Sequence, residues 1–167
     1  MSPPPPLRRI VTSHNERGEA VIARDSQIST EILPHGTGSA LIWSSDTIPA
    51  DVSSPDDRAL ADTGFVNSGS IFRIVDIPPH SVGALHRSIS LDYIIVQKGP
   101  VVLTLDNGSK TKVNEGEIVV QQATMHGWSN EGDGWARLLA IMLPANAPVV
   151  AGRELQTDLF ELFGLKN

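Results

Sequence analysis

The chain has 167 residues, 40% of them apolar, and 13 Lys and Arg against 19 Asp and Glu for a formal charge of −6. That is one domain with enough apolar content for a core, and its negative balance without a basic cluster argues against nucleic acid as a partner. No cysteine is present, which excludes disulfides, thiolate metal ligands and thiol nucleophiles. The longest purely apolar run, Leu138 to Leu143, is six residues, where a membrane span needs about 20. The N-terminus also lacks the apolar stretch of a secretory signal. A cytoplasmic protein with no membrane partner is therefore expected.

Pro3 to Pro6 predict a disordered tail over residues 1–7, followed by a single domain over 8–167. Short runs rich in β-branched residues, punctuated by Gly and Pro, then predict strands. In chain order these are Arg9–Thr12, Glu19–Arg24, Ser39–Trp43, Ser70–Ile77, Tyr93–Gln97, Val101–Leu105, Thr111–Val113, Glu117–Gln121 and Ala136–Leu143. Asp106-Asn107-Gly108 is a hairpin signal, because Asn-Gly accepts the positive φ of a tight turn. Asp46–Ser68 breaks the rhythm with few large apolar residues and reads as a long loop, with one helical turn at Asp57–Asp62. A loop of that length is expected to cover or border a site. From Glu154 to Phe163 the period changes: Leu155, Leu159, Phe160, Leu162 and Phe163, ended by Gly164, predict a C-terminal helix. Many short strands with one terminal helix define an all-β barrel or sandwich.

Two blocks carry chemistry. The first contains His86, Arg87, Ser88, Asp92 and Tyr93 and ends at Gly99; the second runs from Gly116 through His126 and Trp128 to Asn130. Six residues separate Asp92 from Gly99, and sixteen separate Gly99 from Gly116. Together the blocks resemble the two motifs of the cupin superfamily, over about residues 71–143. The resemblance implies a small jelly-roll β-barrel, with an N-terminal strand extension and the C-terminal helix added. It extends to a subgroup of small fungal and bacterial cupins, some near polyketide gene clusters. It also implies a divalent metal (Fe, Mn, Ni or Zn) held by three His and a carboxylate. Here Ser88 stands at the second His position and Asp92 replaces the commoner Glu, so His86, Asp92 and His126 are what remains of that ligand set.

Two chemistries stay open on these residues. His86, Asp92 and His126 could form the facial triad of a non-haem iron oxygenase. Alternatively the two imidazoles serve as base (His126) and acid (His86), with Asp92 orienting one of them, in a dehydration, decarboxylation or isomerisation. The second is preferred, as a lyase or isomerase of secondary metabolism acting on a small organic substrate. A non-catalytic binding module is the third reading. Ser88, Tyr93 and Trp128 lie beside these residues as candidate substrate contacts. His80, after Pro78-Pro79, marks a rim turn, and His14 and His35 are assigned no role. Arg73 and Arg137 interrupt apolar strands; an inward-facing Arg would suit a carboxylate or enolate. The alternation of Arg73 with Phe72 and Ile74 favours the outward reading. The apolar strand at Arg9–Thr12 could pair with its counterpart in a second copy, so a homodimer is expected.

Overall fold

The computed structural model describes residues 2–61, 63, 64 and 67–159. Their strands are β1 (Leu7–His14), β2 (Ala20–Ile28), β3 (Glu31–Ile32), β4 (Gly38–Ser44), β5 (Ile71–Ile77), β6 (Ser90–Lys98), β7 (Val101–Leu105), β8 (Lys110–Val113), β9 (Ile118–Gln122), β10 (His126–Ser129), β11 (Ala136–Pro144), β12 (Val149–Val150) and β13 (Arg153–Glu154). Six of them form one sheet in the order β3-β4-β5-β11-β6-β9, and three form a second, β10-β7-β8. The pairs β1-β2 and β12-β13 stand as separate hairpins. Neither large sheet closes on itself, and together they make a jelly roll.

All nine strands read from the sequence are present. Strand β10 has no counterpart among them, because His126-Gly127-Trp128-Ser129 lacks both alternation and β-branched residues. It becomes a strand by pairing with β7, His126 opposite Leu105 and Ser129 opposite Val102. The hairpin at Asp106-Asn107-Gly108 forms as expected, with Gly108 at φ +82° and its N–H donating to the Leu105 carbonyl.

The core lies between the sheets. Ile77, Ile94, Val96, Leu138 and Ala140 of the larger sheet pack with Val101 and Val113 of the smaller. Each large aliphatic side chain so buried contributes about 1.5–3 kcal/mol. On the opposite face of the large sheet, Arg137 of β11 sits opposite Asp76 of β5. Its guanidinium donates to both carboxylate oxygens, at 2.6 and 2.8 Å, and both residues are buried. Arg137 also donates to the Pro5 and Pro4 carbonyls at 2.8 and 3.4 Å. The proline segment predicted to be a disordered tail is held over the sheet at these two carbonyls.

One other expectation is corrected. The helix predicted from Glu154 to Phe163 does not occur over 154–159: Glu154 lies in β13, and Asp158 exchanges backbone hydrogen bonds with Arg87. An available sheet edge has overridden a helical apolar period; the remainder of the prediction, 160–163, lies outside the described residues. The loop Asp46–Ser68 does contain one helical turn, a 3-10 turn at Arg58–Leu60 capped by Asp57. It is tied down against β1 by the ion pair of Asp57 with Arg9, against β2 by Arg24 donating to the Pro55 carbonyl, and against β4 by the Ser44 hydroxyl donating to the Arg58 carbonyl. Among the described residues, no helix is long and apolar enough to cross a membrane.

Candidate active site

The two histidines meet because the backbone pairs them. His86 N–H donates to the His126 carbonyl at 2.9 Å, and His126 N–H to the His86 carbonyl at 3.0 Å. Directly opposed residues of an antiparallel pair put their side chains on one face, and the ring centroids are 4.4 Å apart, tilted by 56°. Each ring is oriented by the carbonyl two residues before it. His86 Nδ1 lies 3.0 Å from the Ala84 oxygen, and His126 Nδ1 lies 2.9 Å from the Thr124 oxygen. A carbonyl only accepts, so both Nδ1 atoms carry the proton and Nε2 is the basic nitrogen of each neutral ring.

The rings stand in a cavity of about 250 Å³ between the sheets. Its wall includes Asp92 and Ile94 of β6, Leu138, Ala140 and Met142 of β11, Arg73 and Val75 of β5, Trp128 of β10, and Ser88. Leu33, His35 and Val82 also border it; His35, given no role from the sequence, is exposed.

Burial sets the charge state. Desolvation pushes His126 down to about 4, the neighbouring His86 adds to the effect, and the Thr124 carbonyl opposes it. Desolvation also lowers His86, against the Ala84 carbonyl. Both rings are therefore neutral at pH 7, and a proton gained by one disfavours a second on the other. Burial pushes the Asp92 carboxyl up to about 6, partly offset by a hydrogen bond from Ser90. The assignment of His126 as base and His86 as acid is thereby corrected: with both Nδ1 protons committed to carbonyls, the resting pair is two neutral bases, and either ring becomes an acid only after it has taken up a proton. The carbonyls, not Asp92, orient the rings.

The structure brings His86, Ser88, Asp92, His126 and Trp128 to one cavity and leaves Tyr93 outside it. Asp92 and Ile94 face inward, so the pleat turns Tyr93, between them, to the outer surface, where it is 37% exposed. The same rule corrects Arg73: Val75 and Ile77 of its strand line the cavity, and Arg73 is in phase with them. The apolar neighbours Phe72 and Ile74 mislead because the other face of this sheet is also covered. Arg73 donates to the Gly64 carbonyl at 3.0 Å, and burial lowers its pKa. Through that contact the long loop, expected to cover or border the site, reaches a residue of the cavity wall, while none of its described residues lines the cavity itself. Asn130 plays a structural part, donating to the Ile77 and Gly134 carbonyls and accepting from Gly132 N–H. His80 forms the rim turn, at φ +52° and paired with Asp133. Gln121, read from the sequence only as the end of a strand, is buried beside Asp92 and accepts from the Trp128 indole at 3.2 Å.

The donor set does not fit the metal centre that the motifs imply. Among the described residues no three His, Asp or Glu side chains are grouped closely enough to hold a metal ion. Ser88, where a further imidazole would stand, is instead hydrogen-bonded to Ser90 at 2.8 Å.

A jelly roll with paired histidines facing a cavity between its sheets is the architecture of a cupin-type small-molecule site. No protein-family model matches the chain. The cupin-domain-containing oxidoreductase fogC of Aspergillus ruber is 32% identical over 162 residues, covering 89% of this chain and 77% of that protein. The chain therefore belongs to the cupin superfamily. The oryzines biosynthesis cluster protein J of Aspergillus oryzae is 29% identical and covers 95% of this chain and 94% of its own length. The solved structure of the polyketide cyclase RemF from Streptomyces resistomycificus shares the fold, with a TM-score of 0.50 at 19% identity over 83% of this chain and 88% of that one.

Proposed function

We propose that the chain is an enzyme of secondary metabolism that moves a proton on a small organic molecule, as a lyase or isomerase. The observation that carries the reading is the His86–His126 pair: two neutral imidazoles with Nδ1 on a carbonyl and Nε2 as base, beside a mostly apolar cavity. One Nε2 takes a proton from substrate carbon next to a carbonyl group, and the resulting imidazolium returns it at another atom or to a leaving oxygen. Low polarity strengthens every charge interaction around the developing enolate, and Arg73 in the cavity wall supplies positive charge toward it. Relatives named for biosynthetic clusters, such as the oryzines protein, support the secondary-metabolism part.

A second reading, oxidoreductase, is favoured by the name of the relative from Aspergillus ruber. Its iron-oxygenase form finds no support in the donor geometry. The test is isotope exchange in D2O with a panel of small β-dicarbonyl compounds, read by NMR. Deuterium should enter the carbon next to the carbonyl faster than in buffer, and chelation should leave the rate unchanged. His86→Ala or His126→Ala should slow it by about 10²–10⁴. No exchange above buffer, or exchange abolished by chelator and restored by one divalent ion, would retire the reading.

A further inference from the structure

Buried polar atoms are almost always hydrogen-bonded, and an exception points to a missing partner. Two such exceptions lie side by side here. Asp92 is 4% exposed and Gln121 3%, yet Asp92 Oδ1 and Gln121 Nε2 have no hydrogen-bond partner. The two residues are directly opposite on β6 and β9, so their side chains stand on the same face of the sheet. It is the inner face, because Asp92 lines the cavity.

The chemistry of the two atoms is complementary. The Trp128 indole N–H can only donate, and it donates to Gln121 Oε1. That fixes the amide with its NH2 as the unsatisfied end, a donor. Asp92 Oδ1 is an acceptor, and the carboxyl takes its other hydrogen bond from Ser90. A donor and an acceptor on directly opposed residues, one of them in the cavity wall, are satisfied together by one group that both accepts and donates through a single atom, a hydroxyl. A carboxylate or a ketone offers no proton to Asp92, and an ammonium offers no lone pair to Gln121.

We infer that Asp92 and Gln121 form a hydroxyl-recognition site, and that the molecule taken into the cavity is an apolar alcohol or phenol. Its O–H donates to Asp92 Oδ1 and its oxygen accepts from Gln121 Nε2, while its apolar body lies against Ile94, Leu138, Ala140 and Met142. The inference rests on the proposed small-molecule function for its substrate, and on the orphaned pair for its chemistry. Asp92 is here a binding group, distinct from the orienting role read from the sequence.

The probes are benzyl alcohol and toluene, which share an aromatic body and differ in the hydroxyl. Binding is measured by calorimetry on the whole chain, with Trp128 fluorescence as a second readout. Benzyl alcohol should bind more tightly on the order of 10–100-fold, the usual share of a hydrogen bond to a charged group. Asp92→Leu and Gln121→Met remove the two polar ends at similar volume. Gln121→Met also takes the acceptor from the Trp128 indole N–H, and Asp92→Leu the acceptor from Ser90, each a loss of about 1–3 kcal/mol; melting curves check that both variants fold. Each should reduce the preference, and the double variant should bind both probes alike. Equal binding to the wild type, as when water alone occupies the gap, overturns the inference, as does failure of benzyl alcohol to bind. A preference that survives in the folded double variant also overturns it. His126→Ala separates this inference from the proton-transfer reading: it should stop exchange and leave the hydroxyl preference in place.

Discussion

Asp92 and His126 titrate in opposite senses, and the sum is testable through stability. The Asp92 carboxyl is raised from 3.8 to about 6, so the folded state binds the extra proton between these values. Its stabilising share is present below about pH 4 and is lost as pH rises through 6. His126 is lowered from 6.5 to about 4. There the unfolded chain binds the extra proton, and stability is gained as pH rises from 4 to 6.5. His86, also lowered, acts in the same sense as His126. In the wild type the Asp92 trend opposes that of the two histidines over pH 4–6. Asp92→Asn removes the Asp92 trend, so its unfolding free energy should climb more steeply with pH than the wild type's. Urea unfolding at about pH 4.5 and 6.5 should show the difference growing by on the order of 2 kcal/mol. A difference constant across that window would place Asp92 in the ordinary carboxyl range. The resemblance to the two motifs pointed to His86, Asp92 and His126; their charge states were not legible, because burial sets them and no motif records burial.

At the scale of elements, the site depends on how the segment Ser81–His86 lies along β10. Ser81 bridges Asn130 and His86 bridges His126, so one side carries one more residue than the other between the two bridges. The extra residue is accommodated around Gly83, as in a bulge. A Cβ on Gly83 would stand 2.1 Å from the Trp128 carbonyl oxygen and 2.6 Å from its nitrogen. These are backbone atoms that no side-chain rotation can clear. Gly83→Ala should therefore push the segment off β10, part the two imidazoles and cost about 2 kcal/mol or more, in the range of core overpacking. Gly134→Ala is the control: a Cβ there meets nothing within 4 Å, and the change should stay within about 0.5 kcal/mol. Chemical denaturation measures both. If Gly83→Ala matched Gly134→Ala, the close approach would not be what holds the histidines together. Gly83 belongs to the first motif, and its spacing is visible in the sequence. What it touches comes from the second motif, 45 residues later, and is visible only after folding.

At the scale of the whole molecule, the Arg137–Asp76 pair joins the centre of the large sheet to the N-terminal segment. Asp76 also accepts from Thr30 at 2.8 Å, so one buried carboxylate gathers β5, β11 and the start of β3. Asp76→Ala would leave the guanidinium buried without its counter-charge and should cost about 3–5 kcal/mol. The double substitution Asp76→Leu with Arg137→Met should recover most of that loss, since an apolar pair of similar size carries no desolvation penalty. Equilibrium unfolding in urea compares the two. A double variant as unstable as the single one would mean that the pair specifies the β5–β11 register and does more than neutralise itself.

Local signals were enough for nine of the strands, the Asn107-Gly108 turn and the all-β class, while His86, Asp92 and His126 came from the resemblance to the two cupin motifs. These depend on side-chain shape, on backbone freedom and on spacing along one chain. Tertiary structure decided the remainder. It turned Tyr93 out and Arg73 in, because the phase of a pleat follows from which face meets the second sheet and both faces of this sheet are covered. It made a strand of His126–Ser129 and drew Asp158 to Arg87, because an unpaired edge outweighs local propensity. It set Gln121 beside Asp92, 29 residues apart in the chain and directly opposed across two strands, since register is a property of the pair and not of either segment.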